Sequence, residues 1–293
     1  MNRYFILFLA IITLLFLGCK KEKTHTSPTI ELRTGSEFVS EGAIVSEGKQ
    51  LKFGIIVNKG DAKITNIVIK RISGTNIKTL LDKGIYEDII DTNYIYYKDS
   101  CKSEEWLISV MDQNRNSAST SIHITKNNII SYGEIIYHPS ITLGFQNNTE
   151  YPHFFDPING KTYFTKPADN EQNTTDILVY YYTDGSMPSP TFSSPAEQDA
   201  PTYYSELDNW TKKNYTAYDY VTKVSATEFD AATNDSLLIK KYDDLWGRRK
   251  YKYAIANTIF PFKTNAGKLG IIKVISADII DTGKITFALK MQK

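Results

Sequence analysis

The sequence predicts a mainly all-β protein built from two β-sandwich domains, the second with one or two short helical insertions. Tyrosine and phenylalanine account for 20 and 14 of the 293 residues, and aromatic and β-branched side chains favour strands. Many short runs alternate apolar and polar residues, which is the period of a strand with one buried face. A hydrophobic content of 41% is enough to fill packed cores, so a disordered chain is excluded.

Residues 29–126 form the first predicted domain. The run 50–57 places four apolar side chains on one side of a strand, namely Leu51, Phe53, Ile55 and Val57. Further strands are predicted at 63–72, 76–81, 92–97, 105–112 and 119–125. Residues 112–116 (DQNRN) are predicted to turn, because Asp and Asn side chains bond to nearby backbone amides. Short strands joined by polar turns within about a hundred residues indicate a β-sandwich.

The last two strands of this domain follow a recognisable pattern. The first of them ends with Val110 and Asp112, a turn with Asn114 and Asn116 follows, and a Ser/Thr/Ile strand closes the domain. This pattern resembles bacterial immunoglobulin-like domains of the PKD and cadherin-like kind. The resemblance implies an immunoglobulin-like fold, and domains of that family are usually spacers or binding modules.

Residues 127–293 form a second β-rich domain in which helices interrupt the strands. Ser225 and Glu228 have the spacing of a capping box, which predicts a helix continuing over 229–242. Another short helix is predicted at 205–212. Residues 187–201 contain four prolines and are expected to form an extended surface loop. Strands are predicted at 129–138, 141–145, 161–165, 176–183, 250–262, 269–276 and 283–291.

Three segments of this second domain carry a further resemblance. They are FFDPINGKTY at 154–163, FKTNAGKLGIIKV at 262–274 and GKITFALKMQK at 283–293. They resemble the C-terminal region of uncharacterised Bacteroidetes lipoproteins that pair this region with an immunoglobulin-like domain. The resemblance implies a two-domain architecture in the cell envelope, and it implies no reaction.

Residues 1–18 have the layout of a secretory signal peptide. Arg3 precedes an apolar stretch, and Gly18 precedes Cys19. This ending resembles the lipobox of bacterial lipoproteins, which implies that Cys19 is lipidated and becomes the mature N-terminus. Residues 19–28 then form the lipidated cysteine and a flexible tether. We therefore expect a lipid-anchored outer-membrane protein whose membrane partner is reached through acyl chains, and the side of the membrane that it faces stays open.

Charge and cysteine content exclude several classes of function. Lys and Arg total 34 against 33 for Asp and Glu. The net charge is therefore too small to attract nucleic acid electrostatically. Apart from Cys19 only Cys101 is present, and one cysteine forms neither an internal disulfide nor a zinc site. Cys101 lies in a polar stretch and is interpreted as an inert loop residue.

The sequence also lacks the common catalytic motifs for nucleophilic serine, zinc-protease and nucleotide-binding sites. His138 and His153 are interpreted as loop histidines, because no thiol or carboxylate falls at ligand spacing. Carboxylates such as Glu104 and Asp156 are interpreted as solvated or turn-forming groups. The expectation is a protein without catalytic residues, metal or cofactor, and not an enzyme.

Aromatic residues crowd the region 180–253, and five of them are candidate ligand contacts because exposed rings can stack on sugar faces. They are Trp210, Trp246, Tyr203, Tyr204 and Tyr215. The alternative is that these rings only build strands and cores. Separately, Asp235-Ser236-Leu237 resembles the three-residue O-glycosylation site of Bacteroidetes secreted proteins, which makes Ser236 a candidate modification site.

Three functions remain in consideration. The first is a binding module for a glycan or a protein, the second is a structural component of an outer-membrane complex, and the third and least favoured is an enzyme, which a cleft holding two close acids with raised pKa would support. An open aromatic patch would favour binding, whereas buried rings would favour structure.

Overall fold

The computed structural model describes residues 25–183 and 187–293, and in these ranges the protein is mainly β with a few short helices. The predicted signal peptide and Cys19 lie outside the described residues. Within the described ranges no helix has the length and apolar character needed to cross a membrane.

The N-terminal domain is a sandwich of two sheets. One sheet has the order β1-β3-β6 and the other β2-β8-β7-β4-β5, with β2 and β8 parallel and all other neighbours antiparallel. The strands are β1 Thr29–Leu32, β2 Ala43–Glu47, β3 Gln50–Asn58, β4 Ile64–Ser73, β5 Asn76–Glu87, β6 Ile89–Tyr97, β7 Ser103–Asp112 and β8 Ser117–Ile130. The last of these strands, β8, continues to Ile130, past residue 126.

Period-two alternation builds the core of this sandwich. The four apolar residues predicted for β3 are all buried, and they pack against alternate residues of β4 and β7 from the facing sheet. Trp106 lies at one end of this core with its ring centroid 4.8 Å from that of Phe53 and 5.3 Å from that of Tyr96.

The predicted turn after β7 is confirmed. The backbone N–H of Asn116 donates to Asp112 Oδ1 at 2.8 Å, and the Asn116 amide donates to Asp112 Oδ2 at 3.1 Å. Arg115 has a φ of 67°, a left-handed conformation that the turn imposes. The Asp112 side chain therefore closes the β7–β8 hairpin in the way that the sequence indicates.

The C-terminal domain is a second sandwich, with sheet orders β11-β10-β12-β13-β16 and β15-β14-β17-β18-β19-β9. Its helices are α1 Ala200–Tyr203, α2 Ala226–Ala231 and α3 Ser236–Lys241, and short 3₁₀ turns cover Glu171–Asn173, Ser205–Asn209 and Asp244–Trp246. The strands are β9 Ile135–Gly144, β10 Phe154–Asp156, β11 Lys161–Tyr163, β12 Ile177–Tyr182, β13 Ser189–Ser193, β14 Ala217–Asp219, β15 Gly247–Arg248, β16 Tyr251–Lys252, β17 Ile259–Lys263, β18 Leu269–Ala277 and β19 Lys284–Gln292.

The described part of the second domain has three apolar clusters, one between its sheets and two on their outer faces. The central cluster lies between the sheets and includes Phe155, Phe192 and Phe287. An outer cluster packs the segment 200–210 against the far side of β10 and β12. Another packs helices α2 and α3 against β18 and β19. Because β12 is covered on both sides, it reads ILVYYY, the continuous apolar run typical of strands buried on both faces.

The capping box is confirmed, since Ser225 Oγ accepts from the Glu228 N–H and Glu228 Oε2 accepts from the Ser225 N–H. The predicted helix over 229–242 is wrong in its length, because it breaks at 232–235 into α2 and α3. At the break the Asp235 N–H donates to the carbonyl oxygen of Gly133. Tertiary hydrogen bonding therefore overrides local helix continuation.

Three further predictions are corrected. Residues 187–201 contain the buried strand β13 and the start of helix α1 instead of a surface loop, because Phe192 fills the central cluster and Ala200 an outer one. The predicted strand 129–138 is interrupted at 131–134 by the connection between the domains. The predicted strand 250–262 divides because Tyr253 and Asn257 have φ of 58° and 68°, which no strand residue adopts.

Candidate ligand site between the domains

Hydrogen bonds and an ion pair join the two domains, which are connected by the linker 131–134. The Tyr97 hydroxyl of β6 donates to Gln292 Oε1 of β19 at 2.9 Å. Lys78 of β5 pairs with Asp243 at 3.2 Å. The linker is fixed by the Gly133 N–H, which donates to Asp235 Oδ1 at 2.6 Å. These bonds hold the domains in one arrangement.

A cavity of 670 Å³ lies between these contacts and is lined by residues of both domains. Its size falls in the range of about 300–1,000 Å³ that is typical of ligand sites. Its aromatic lining consists of Tyr96, Tyr97, Trp106, Tyr132 and Tyr242. The cavity therefore combines ring surfaces with the charged groups described below.

Tyr96 is the residue in this cavity whose hydrogen bonding is incomplete. Its side chain is only 8% exposed, and its hydroxyl makes no hydrogen bond to any described residue. Burial raises the pKa of Tyr96 well above its usual value, and the Asp244 and Asp243 carboxylates contribute in the same direction. Both carboxylates belong to the C-terminal domain and line the same cavity as Tyr96. A buried hydroxyl without a partner costs free energy unless something fills the site.

Below Tyr96 lies a buried ion pair, which corrects the interpretation of Glu104 as a solvated acid. Glu104 Oε1 lies 2.9 Å from Lys98 Nζ, and both side chains are fully buried. The Trp106 indole N–H donates to Glu104 Oε2 at 3.0 Å. Lys98 also donates to the carbonyl oxygens of Asp99 and Cys101. Because donors and acceptors match, this cluster can be buried and hold Trp106 in place.

Ion pairs surround the cavity and balance its charge. Arg71 pairs with Asp99 at 2.5 Å, and Lys263 pairs with Asp244 at 2.9 Å. Burial alone would raise the pKa of Asp99, but Arg71 and the Ser100 amide outweigh it and lower the pKa. With these charges already paired, the cavity suits a neutral polar ligand better than a strongly charged one.

A smaller cavity of 310 Å³ adjoins the first one and shares Tyr97, Tyr132 and Gly267 with it. The Tyr132 hydroxyl donates to Glu47 Oε1 at 2.9 Å. Burial and this carboxylate raise the pKa of Tyr132 to about 12, while hydrogen bonds from Lys126 and Tyr132 lower the pKa of Glu47. The wall between the cavities is therefore fixed by hydrogen bonds.

Three of the five aromatic candidates from the sequence, Tyr203, Tyr204 and Trp210, lie together in the outer cluster over β12. Trp210 and Tyr204 are 5% and 6% exposed in the outer cluster over β12. Tyr203 stacks on Tyr180 with ring centroids 4.0 Å apart. Tyr215 and Trp246 are 40% and 41% exposed. The burial of Trp210 and Tyr204 gives them a structural environment, and only Tyr215 and Trp246 present substantial surface to solvent.

The remaining candidates have simpler surroundings. Ser236 is half-buried and lines the larger cavity, next to the buried Asp235. His138 bonds the carbonyl oxygen of Pro157 and His153 that of Gly144. Cys101 is a half-buried free cysteine. In the described ranges no three His, Cys, Asp or Glu residues are grouped to hold a metal ion.

The cavity is not visible in the sequence, because its lining residues are dispersed along the chain. Tyr96, Tyr132 and Tyr242 come from β6, the linker and the end of α3. Strand β6 carries one signal, because it has three tyrosines, Tyr94, Tyr96 and Tyr97, and Tyr97 breaks the alternation expected of a strand with one buried face. The pairing of β6 with a second domain is not visible in that pattern.

Comparison with known proteins adds little. No protein-family model matches the chain, and no curated protein matches it. The chain is similar to a superoxide reductase (neelaredoxin) from Ignicoccus hospitalis at 13% identity, covering 35% of this chain and 82% of that chain with a TM-score of 0.24. It is also similar to Spo0M, a sporulation control protein from Bacillus subtilis, at 7% identity, covering 57% and 79% with a TM-score of 0.25. Likenesses at this level carry no argument about function.

Proposed function

We propose that this protein is a non-catalytic, lipid-anchored binding protein of the cell envelope, and that the cavity between its domains binds a carbohydrate. The Tyr96 hydroxyl is the observation that supports this proposal best, because Tyr96 lines the cavity and its buried hydroxyl has no hydrogen-bond partner among the described residues. A ligand hydroxyl would supply the missing hydrogen bond.

The chemistry of the cavity supports a carbohydrate over a purely apolar ligand. A sugar presents apolar C–H faces and a ring of hydroxyls, and the cavity offers tyrosine rings together with paired ionic groups. Paired carboxylates and ammonium groups accept and donate hydrogen bonds without demanding a charged ligand. The volume of 670 Å³ is large enough for more than one small ring.

A structural role in an outer-membrane complex is the second candidate. Burial of Trp210 and Tyr204 favours it, because these two rings stabilise the C-terminal domain and form no exposed platform. On this alternative the immunoglobulin-like domain acts as a spacer and the cavity holds only water.

A glycan array probed with the lipid-free chain, residues 20–293, separates the two candidates. We expect binding to a subset of neutral glycans. Replacing Tyr96 by Phe removes one hydrogen bond of about 1 kcal/mol, so affinity should fall about five- to tenfold. Tyr86→Phe, on an exposed ring 59% accessible to solvent, is the matched control and should bind normally. A blank array would remove the carbohydrate proposal and leave the structural one.

The lipid anchor needs its own measurement. Mass spectrometry of the mature protein is expected to find acyl chains on the N-terminal Cys19. Cys19→Ser should release the protein from the membrane fraction, because acyl chains stabilise attachment by about 0.8 kcal/mol for each buried CH₂. An intact leader without acyl chains would contradict this part of the proposal.

A further inference from the structure

We propose that the two adjoining cavities form one continuous groove and that the ligand is a linear oligosaccharide extended across Gly267. This inference rests on the proposed function, because it names the form of the carbohydrate that the same site binds. It predicts that longer glycans bind more tightly than single sugars do.

The first support is that the cavities share their boundary. Tyr97, Tyr132 and Gly267 line both of them, so the two volumes adjoin along these three residues. At 310 Å³ and 670 Å³, each lies within the size range of a ligand site. A single sugar ring in the larger cavity would leave the smaller one unused.

The second support is the residue at the boundary. Gly267 has a φ of 80° in the turn between β17 and β18, and its N–H donates to the carbonyl oxygen of Thr264. A Cβ at this position would meet only the Ile95 Cδ1 atom, at 3.7 Å. Position 267 therefore presents no side chain to the boundary between the cavities, and Ile95 itself lines the larger cavity.

The two tyrosines at the boundary are held in place. Tyr97 donates to Gln292 Oε1, and Tyr132 donates to Glu47 Oε1, each at 2.9 Å. Gln292 is held in turn, because its Nε2 donates to Asp235 Oδ2 at 2.8 Å and its Oε1 accepts from the Leu269 N–H. Rings fixed in this way lose little conformational freedom when a ligand packs against them.

The two halves of the groove differ in chemistry. The larger half has five aromatic residues and the unpartnered Tyr96 hydroxyl. The smaller half is lined by polar side chains, among them Lys49, Gln50, Glu134 and Lys268. We therefore place the sugar that packs on rings in the larger half, and the following units, bound by hydrogen bonds, in the smaller half.

Chain-length dependence tests this inference. The probes are neutral oligosaccharides that score on the array, prepared as a series from one to about six units and titrated by calorimetry against residues 20–293. Affinity should rise about tenfold or more from the monosaccharide to the tetrasaccharide, as expected if added units gain about one good hydrogen bond. An affinity that does not change with length would overturn the extended groove while leaving the carbohydrate proposal intact.

Two variants locate the added units. Lys268→Ala alters the smaller cavity and should reduce affinity for the longer glycans about fivefold while leaving the monosaccharide unchanged. Tyr96→Phe should weaken all lengths by a similar factor. Lys49→Ala, at an exposed position of the smaller cavity, repeats the test should Lys268→Ala alter the thermal melt. If both lysine variants keep the full length dependence, the smaller cavity does not bind sugar and the inference is overturned.

Discussion

Both domains bury a tryptophan among aromatic rings, but the tyrosine hydroxyls beside the two tryptophans differ. In the C-terminal domain Tyr204, whose ring centroid lies 5.1 Å from that of Phe154, donates its hydroxyl to the Val179 carbonyl oxygen at 2.6 Å. In the N-terminal domain the Tyr96 hydroxyl has no partner among the described residues. The first cluster is covered by its own chain at 200–210, whereas the second is covered by another domain that leaves a cavity. The candidate site therefore lies where the C-terminal domain covers the end of the N-terminal core without filling the space between them.

The buried acids of the two domains differ in a similar way. Glu104 is fully buried beside the Lys98 ammonium and accepts from Trp106. Asp176 is buried near the Asp156 carboxylate, and burial together with this like charge raises the pKa of Asp176 to about 7. The acid in the N-terminal domain is compensated, whereas the one in the C-terminal domain is stable mainly when protonated.

The largest expected effect is at Trp210. Trp210→Ala should lower the free energy of unfolding of the C-terminal domain by about 4 kcal/mol, because it empties the outer cluster over β12. Trp246→Ala, at a residue 41% exposed, should cost less than half of that. Urea denaturation followed by circular dichroism measures both. Equal losses would contradict the division into a buried cluster and an exposed ring.

At Glu104 we expect an effect nearly as large. Glu104→Gln keeps the shape of the side chain but leaves the Lys98 ammonium buried without its counter-charge. Unfolding free energy should fall by about 3 kcal/mol. The control is Glu105→Gln on the same strand, where the side chain is half-buried, and it should change stability by less than about 1 kcal/mol. A loss of less than about 1 kcal/mol for Glu104→Gln would show that other groups compensate the charge of the Lys98 ammonium.

Asp176 should make stability depend on pH. Its folded pKa of about 7 lies above the ordinary aspartate pKa of about 3.9, so its contribution is complete below about pH 4 and is lost as pH rises through 7. Each pKa unit corresponds to about 1.4 kcal/mol. Relative to Asp176→Asn, the wild-type protein should therefore lose about 2 to 4 kcal/mol between about pH 4 and pH 8. Parallel stability curves for the two proteins would refute the raised pKa.

The smallest effect compares the two tyrosine hydroxyls directly. Tyr204→Phe removes a donor from the buried Val179 carbonyl group and should cost about 1 kcal/mol. Tyr96→Phe removes a hydroxyl that bonds no described residue, so stability should stay the same or rise slightly. Thermal melts of the two variants without glycan provide the measurement. A loss at Tyr96 as large as that at Tyr204 would mean that water already satisfies the Tyr96 hydroxyl.

Local patterns in the sequence predicted the parts of the fold that depend on local physics. Alternation placed Leu51, Phe53, Ile55 and Val57 in the core, and the spacing of Ser225 and Glu228 identified the start of α2. These signals suffice because a strand face or a helix cap is set by residues close together in the chain.

The parts that failed depend on partners far away in the chain. The polar residues around Glu104 in the sequence predict a solvated side chain. Its partners Lys98 and Trp106 bury it only when β6 and β7 come together. The helix over 229–242 was expected to continue, but Asp235 bonds Gly133, about a hundred residues earlier. The predicted ligand site was chosen where aromatic residues are dense along the chain, whereas the cavity is lined by aromatic rings from both domains.

The pairing of β9 with β19 has a consequence for how the protein is made. Residues Ile135 and Gln292 are partners in one ladder, although they lie 157 positions apart in the chain (292 − 135). The N-terminal sandwich can complete its sheets once Ile130 has left the ribosome exit tunnel, because all its strands precede that point. In the C-terminal sandwich, β9 has no strand to pair with until β19, the final strand, is synthesised. During translation the N-terminal domain should therefore fold before the C-terminal domain can.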